Sequence, residues 1–264
     1  MKIVTWIIVF ICMFSEPLFT EEIFNKENIT IKVMFTNDTI FNIKQLMETS
    51  VIEIIPKISD TKLFQNLIQY LKNCNGVFID FNNIIETDSL LEIISQLNSL
   101  EVLGISNIKD SELPDIIGNI PNLEMLFLDN CQNLIRLPSS ISSLNNLFFL
   151  RIYAPKFEKY PIEILKLKEL KELEFCFQRI NYIPREIENL KNLKKLRFSQ
   201  SDSIIIPTEI TKLNNLELIS MSYINEINLS DVLTKLSGVK NLTSLYIEDC
   251  NIRAIPDEIS NLTN

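Results

Sequence analysis

The chain has 264 residues, 46% hydrophobic and 22% charged, a balance that suits an extended core and excludes a disordered tail. A formal net charge of −9 with a pI near 4.8 argues against nucleic acid as a partner, because phosphate binding needs a basic face. There is no histidine, which removes the commonest general base and metal ligand, and none of the four glycines forms a G-x-G-x-x-G or G-x-x-x-x-G-K phosphate loop.

The first element in the chain is an apolar run. Lys2, the hydrophobic stretch Ile3–Phe14 and the polar, proline-containing Ser15–Thr20 predict a secretory signal peptide over residues 1–20. The run is short for a membrane span, which needs about 20 residues. The expected location is therefore secreted or cell-surface, with anchoring by an uncleaved N-terminal segment as the alternative. No second hydrophobic span follows, so no stable membrane span is expected after signal removal.

Residues 21–75 are predicted to form a small α/β N-terminal cap that shields the end of a stack. Ile29–Phe35 alternates weakly like a strand, Asn37-Asp38 is a turn signal, and Thr39–Ile43 reads as the return strand of a hairpin. Asp60 caps a helix predicted over Thr61–Asn73, where Leu63, Phe64, Leu67, Ile68 and Leu71 make one apolar face. A degenerate coil follows, with Ile79, Phe81 and Ile84 inward and Asp88-Ser89 capping a helical piece through Leu97.

From Leu100 onward one unit recurs: a leucine, two variable residues, a second apolar residue, one variable, a third apolar. It opens at Leu100, Leu123, Leu147, Leu170, Leu193, Leu216 and Leu242, at spacings of 23, 24, 23, 23, 23 and 26 residues. A fixed period of this length predicts a solenoid, in which no coil buries its apolar face alone. The opening residues form a short strand that pairs in parallel with the next coil. The return run carries proline at Pro138, Pro161, Pro184, Pro207 and Pro256, where the missing N–H opens a helical turn without loss.

The pattern, nearly complete in Leu242–Asn264, resembles the leucine-rich-repeat family in its 23-residue form. The resemblance covers about 70% of the chain. It implies an α/β solenoid of about eight coils over residues 76–264, with a concave parallel sheet, short helical or 3-10 segments on the convex side, and protein binding on the concave face. The ninth repeat position is usually an Asn that ties neighbouring coils. Here it is Ile108, Cys131, Pro155, Gln178, Ser201, Ile224 and Cys250, so that ladder is absent and less regular turns are expected, particularly at Pro155. The last coil carries no cap, which predicts an exposed edge open to pairing. Ile31–Ile43, Ser50 and the later helix also resemble, loosely, the opening of Skp1/BTB-type adaptors, which would imply ubiquitin-ligase assembly.

In-register strands turn the concave face into three columns. The first is Val102, Met125, Phe149, Glu172, Lys195, Leu218 and Ser244. The second is Gly104, Phe127, Arg151, Glu174, Arg197, Ser220 and Tyr246, and the third is Ser106, Asp129, Tyr153, Cys176, Ser199, Ser222 and Glu248. Arg151, Glu174 and Arg197 alternate in sign and Glu172 faces Lys195, which predicts lateral ion pairs that steady the sheet. Met125, Phe127, Phe149 and Tyr153 are expected to form an exposed aromatic patch beside Arg151, the composition of an interface centre. With Arg197 and Tyr246 these are the candidate protein-binding residues.

Catalysis finds little support, and no catalytic, cofactor or metal residue is assigned. Glu172 and Glu174 face cations that keep them ionised, and Asp257-Glu258 lies on a solvated turn. Cys176 has a cationic setting that would lower its pKa, but no base. Cys131 and Cys250 sit five coils apart, about 24 Å at the strand spacing of about 4.8 Å, too far for a disulfide and so read as buried free thiols; the partner of Cys74 stays open. N-x-S/T sequons at Asn28, Asn37, Asn228, Asn241 and Asn261 read as chance products of an Asn-, Ser- and Thr-rich chain. The expected function is recognition of another protein by a non-enzymatic, secreted or surface repeat protein. The alternatives are an intracellular adaptor or scaffold and, from another class, a piece of a larger repeat-containing enzyme or effector.

Overall fold

The computed structural model describes residues 20–26, 29–34, 51–56, 75–81, 87–177 and 179–263. Eleven strands lie in one sheet in the order of the sequence. They are β1 (Thr20–Lys26), β2 (Ile29–Met34), β3 (Val51–Pro56), β4 (Gly76–Asp80), β5 (Val102–Ser106), β6 (Met125–Asp129), β7 (Phe149–Tyr153), β8 (Glu172–Cys176), β9 (Lys195–Ser199), β10 (Leu218–Ser222) and β11 (Ser244–Glu248).

The first two pairings are antiparallel, and every pairing from β3 onward is parallel. Among the described residues β2 pairs with β1 on one edge and with β3 (Val51–Pro56) on the other. The return strand expected at Thr39–Ile43, the helix expected over Thr61–Asn73, Cys74 and the apolar run Ile3–Phe14 lie outside the described residues.

Apolar residues two apart on each strand point inward, as a period of two requires. Leu103 and Ile105, Leu126 and Leu128, and Leu150 and Ile152 are all buried. Each leucine that opens a repeat from Leu100 to Leu216 is buried with them, each worth about 2 kcal/mol of apolar burial. The chain returns through 3-10 turns at Asp115–Asn119, Ser139–Ser143, Ile162–Lys166, Arg185–Asn189, Thr208–Lys212 and Asp257–Asn261, each directly after a proline. The proline carbonyl accepts the N–H three residues on, as from Ile187 to Pro184 at 3.1 Å. Two coils carry true helices instead: α1 (Thr87–Ile94) and α2 (Leu229–Leu236). Asn228 caps α2, its side-chain oxygen accepting from Asp231 N at 3.1 Å. The extra residues of the 26-residue coil make room for α2.

The ninth position holds no Asn ladder, but its work is done in two other ways. Ser201 Oγ donates to Ile180 O at 2.9 Å, and the thiols of Cys131 and Cys250 point at Ile105 O and Met221 O of the preceding coil, at 3.9 and 3.7 Å. A true asparagine ladder runs along the other flank, at the residue before five of the seven opening leucines. Asn122 Nδ2 donates to Asn98 O at 2.7 Å, Asn146 to Pro121 O at 3.1 Å, Asn192 to Lys168 O at 3.0 Å and Asn215 to Lys191 O at 2.8 Å. Asn241 adds the next rung, to Asn214 O. Two sequon asparagines, Asn228 and Asn241, therefore hold structural positions.

The joint between β7 and β8 departs from this scheme. Glu169 replaces the ladder asparagine there. The residue after the strand is left-handed at Asn107, Asn130, Gln200, Tyr223 and Asp249, but not at Ala154 or Phe177. The irregular turn expected at Pro155 is thus found. In compensation the interior carries an aromatic stack, with Phe157 and Phe177 rings 5.1 Å apart, Phe175 and Phe177 5.0 Å, and Tyr160 edge-on to Phe175 at 5.6 Å. The Tyr160 hydroxyl is buried without a hydrogen-bond partner, which drives its pKa upward.

Candidate functional site: the concave sheet

Strand register fixes what each side chain meets. Met125 pairs with Phe149, Phe149 with Glu172, Glu172 with Lys195 and Lys195 with Leu218. Phe127 likewise pairs with Arg151, Arg151 with Glu174, Glu174 with Arg197 and Ser220 with Tyr246, so the three columns stand as expected.

Their exposure does not. Met125, Phe127 and Phe149 are only 5%, 1% and 3% exposed and form a second apolar cluster with half-buried Phe78, Val102 and Phe148. The expected exposed patch is closed by packing across coils. Phe127 lies 5.6 Å from Phe78 and 4.9 Å from Phe149, ring centre to ring centre. Gly104 makes this possible: a Cβ there would stand 2.0 Å from the Phe78 ring, so only glycine lets Phe78 of β4 reach over β5 to β6. Arg151 is also buried, at 9% exposure, its guanidinium 5.4 Å from the Phe127 ring centre and 5.9 Å from that of Phe149. Its Nη2 reaches Glu174 Oε2 at 3.2 Å, while its Nε has no partner.

The ion pairs form with one change of partner. Lys195 Nζ meets Glu172 Oε1 at 2.7 Å, and Arg197 turns diagonally to Glu172 Oε2 at 3.6 Å rather than to Glu174 opposite. Glu174 is already held by Arg151. Such partly exposed pairs are worth about 0.5–1 kcal/mol each and act mainly to fix side-chain positions.

No family model and no curated protein sequence matches the chain. Solved structures do match. TLR13, in its complex with ssRNA13, aligns with a TM-score of 0.56 at 18% identity over 77% of this chain and 32% of its own. The leucine-rich repeat domain of the type III effector XopL aligns at 0.52 with 19% identity, over 75% of this chain and 76% of its own. The plant peptide hormone receptor RGFR1, in complex with RGF2, gives 0.49 at 20% identity over 78% of this chain. The protein has the leucine-rich-repeat fold. It spans only 36% of the RGFR1 chain and 32% of the TLR13 chain.

Around the ionic centre of this repeat sheet the polar groups are consumed. Tyr153, half-buried, donates its hydroxyl to Gln200 Oε1 at 3.2 Å, and the Cys176 thiol points at the same oxygen at 3.1 Å. The cationic activation expected of Cys176 is overturned: burial pushes its thiol up to about 11, with Ser199 opposing and the Glu174 charge adding to the rise. Arg151 and Arg197 are neutralised by the two glutamates. Cys131 is likewise driven up to about 12 by burial, and Cys131, Cys176 and Cys250 are free, buried thiols. Burial also raises the Asp129 pKa, against the lowering pull of Arg151 and with Glu174 adding to it.

From β9 onward the repeat face opens. Ser199, Ser220, Ser222 and Ser244 are half-buried, Arg197 is half-buried, Glu248 is exposed, and Tyr246 is 49% exposed in mid-strand. Sequence reasoning missed Tyr223, which directly follows β10, is 58% exposed and sits at φ 55°. A bulky residue at left-handed φ is uncommon. The signal was present in the repeat: the equivalent positions hold Asn107, Asn130, Gln200 and Asp249. Among the described residues no group of three or more carboxylates or thiols converges as a metal site, and no helix is long and apolar enough to cross a membrane.

Proposed function

We propose that the protein recognises another protein through the C-terminal half of its concave sheet, β8–β11, by rigid presentation of side chains and without catalysis. One observation carries the reading. Tyr246 in mid-β11 and Tyr223 just after β10 stand with about half their surface in solvent, while the aromatic residues Phe127 and Phe149 of the N-terminal half are used in packing. Aromatic side chains on a preformed surface give contact area at low entropic cost, and Arg197 and Glu248 beside them supply polar partners. Nucleic acid is disfavoured: the concave cations Arg151, Lys195 and Arg197 all pair with Glu172 or Glu174, and the net charge is −9.

The setting is secreted or cell-surface, on the strength of the residues 1–20 sequence. Cleavage after Thr20 would leave Glu21–Lys26 of β1 in place. Proteins captured by the exported chain should be compared with those captured by a Tyr223→Ser, Tyr246→Ser variant of unchanged circular dichroism. A specific partner retained by the wild type and lost from the variant is the expected result. Equal capture by both would overturn the assignment to this half of the sheet.

A further inference from the structure

In the concave columns of β7–β10, three cations share two carboxylates. Arg151 takes Glu174 at 3.2 Å, and Lys195 takes Glu172 Oε1 at 2.7 Å. Arg197 is left with the far oxygen of Glu172 at 3.6 Å, an ion pair that holds the guanidinium in place but is too long for a hydrogen bond. Among the described residues the Arg197 N–H groups donate no hydrogen bond at all. The cluster therefore keeps one positive charge over, on a half-buried planar fork of unused donors. Ser220 stands beside Arg197 in the register, also half-buried, and its hydroxyl makes no hydrogen bond among the described residues. Carboxylates crowd the convex side instead, with Asp115, Glu163, Glu186, Glu188 and Glu209 in the 3-10 turns.

We propose that Arg197 is the docking point for a carboxylate, the side chain of one aspartate or glutamate in an extended segment of the protein partner. This docking rests on the proposed receptor face and names what the partner brings to it. A carboxylate accepts two N–H groups of one guanidinium side by side, and such charge-assisted bonds are about twice as strong as neutral ones. The Ser220 hydroxyl can donate to the same group. The incoming carboxylate supplies the hydrogen bonds that Glu172 is too distant to make, while Glu172 goes on holding the fork. One surplus charge suits one carboxylate. It does not suit the run of phosphates in a nucleic acid, whose binding needs many cations. Glu248 stands exposed beside Ser222, where it would repel a second acidic group, so a single acidic residue fits and an acidic run does not.

Selection from short random peptides tests it, each joined to its carrier at its C-terminal end so that no terminal carboxylate is offered. Peptides enriched on the wild type should share an aspartate or glutamate at one position. In an amidated synthetic copy, changing that residue to its amide should raise the Kd about fivefold or more on the wild type. On an Arg197→Gln variant of unchanged circular dichroism the same change should matter less than about twofold, a difference that isolates the pair. Enriched peptides with no common acidic position would overturn the docking, as would an acidic position felt equally by Arg197→Gln. If such peptides still lose binding to the Tyr223→Ser, Tyr246→Ser variant, the receptor face stands without it. Enrichment of nothing would overturn both.

Discussion

The two halves of the concave face share one backbone and one register, yet one is closed and the other is open. On β4–β7 the columns hold Phe78, Gly104, Met125, Phe127 and Phe149, and large rings meeting across a glycine slot have made a second core. On β8–β11 the same columns hold charged, hydroxyl and tyrosine side chains, which pair laterally or stand in solvent. A repeat sheet is therefore no receptor by virtue of its curvature. Whether a column binds or packs is decided by whether neighbours one coil away can fill the space over it.

Truncation separates the halves most sharply. Phe127→Ala should cost about 3 kcal/mol of unfolding free energy in urea, the range of buried aromatic loss, while Tyr246→Ala should change it by less than about 0.5 kcal/mol. Similar costs would erase the distinction. The slot is tested next. Gly104→Ala forces a methyl into the Phe78 ring and should cost about 2 kcal/mol by overpacking. In a Phe78→Ala chain the same change should become nearly neutral, and a cost that persisted would locate the strain in the backbone instead.

The smallest effect lies at the end of β6, within the closed half, and depends on pH. Burial raises the Asp129 pKa, so folding favours its protonated form. The stability this contributes is present below the unfolded pKa and lost as pH rises through the folded one. Asp129→Asn should therefore be more stable than wild type at neutral pH and equal to it at about pH 3, below the usual Asp range. Thermal melts at both values read the difference. A gain that did not change with pH would show that ionisation is not its source.

Much of the fold was legible because it repeats. Seven openings at a near-constant interval fixed the coils, the inward residues and the columns, and the prolines marked the convex turns, with Pro114 as a sixth that the pattern had not included. Burial within a column was not legible, because it depends on a ring from the degenerate coil, Phe78, and on an absence, the missing side chain of Gly104. The asparagine ladder was sought at the ninth position, where the family pattern puts it, although the Asn-Leu dipeptides at Asn122, Asn146, Asn192, Asn215 and Asn241 spell it out on the opposite flank. Of the described strands before β4 only β2 matches an expected one, from a single weak alternation over Ile29–Phe35; β1 and β3 lay outside that expectation.

The joint between β7 and β8 keeps its strand ladder and the Arg151–Glu174 pair but has no asparagine rung, so away from the sheet its adhesion leans on apolar burial. Directional hydrogen bonds hold on cooling, but the hydrophobic driving force fades. In a stack whose coils couple only to their neighbours, a lapse at one step divides cooperativity there. Chilling should therefore loosen the stack first at this step, leaving two shorter blocks, Gly76–Tyr153 with its closed aromatic face and Glu172–Glu248 with its open one, that melt as separate units.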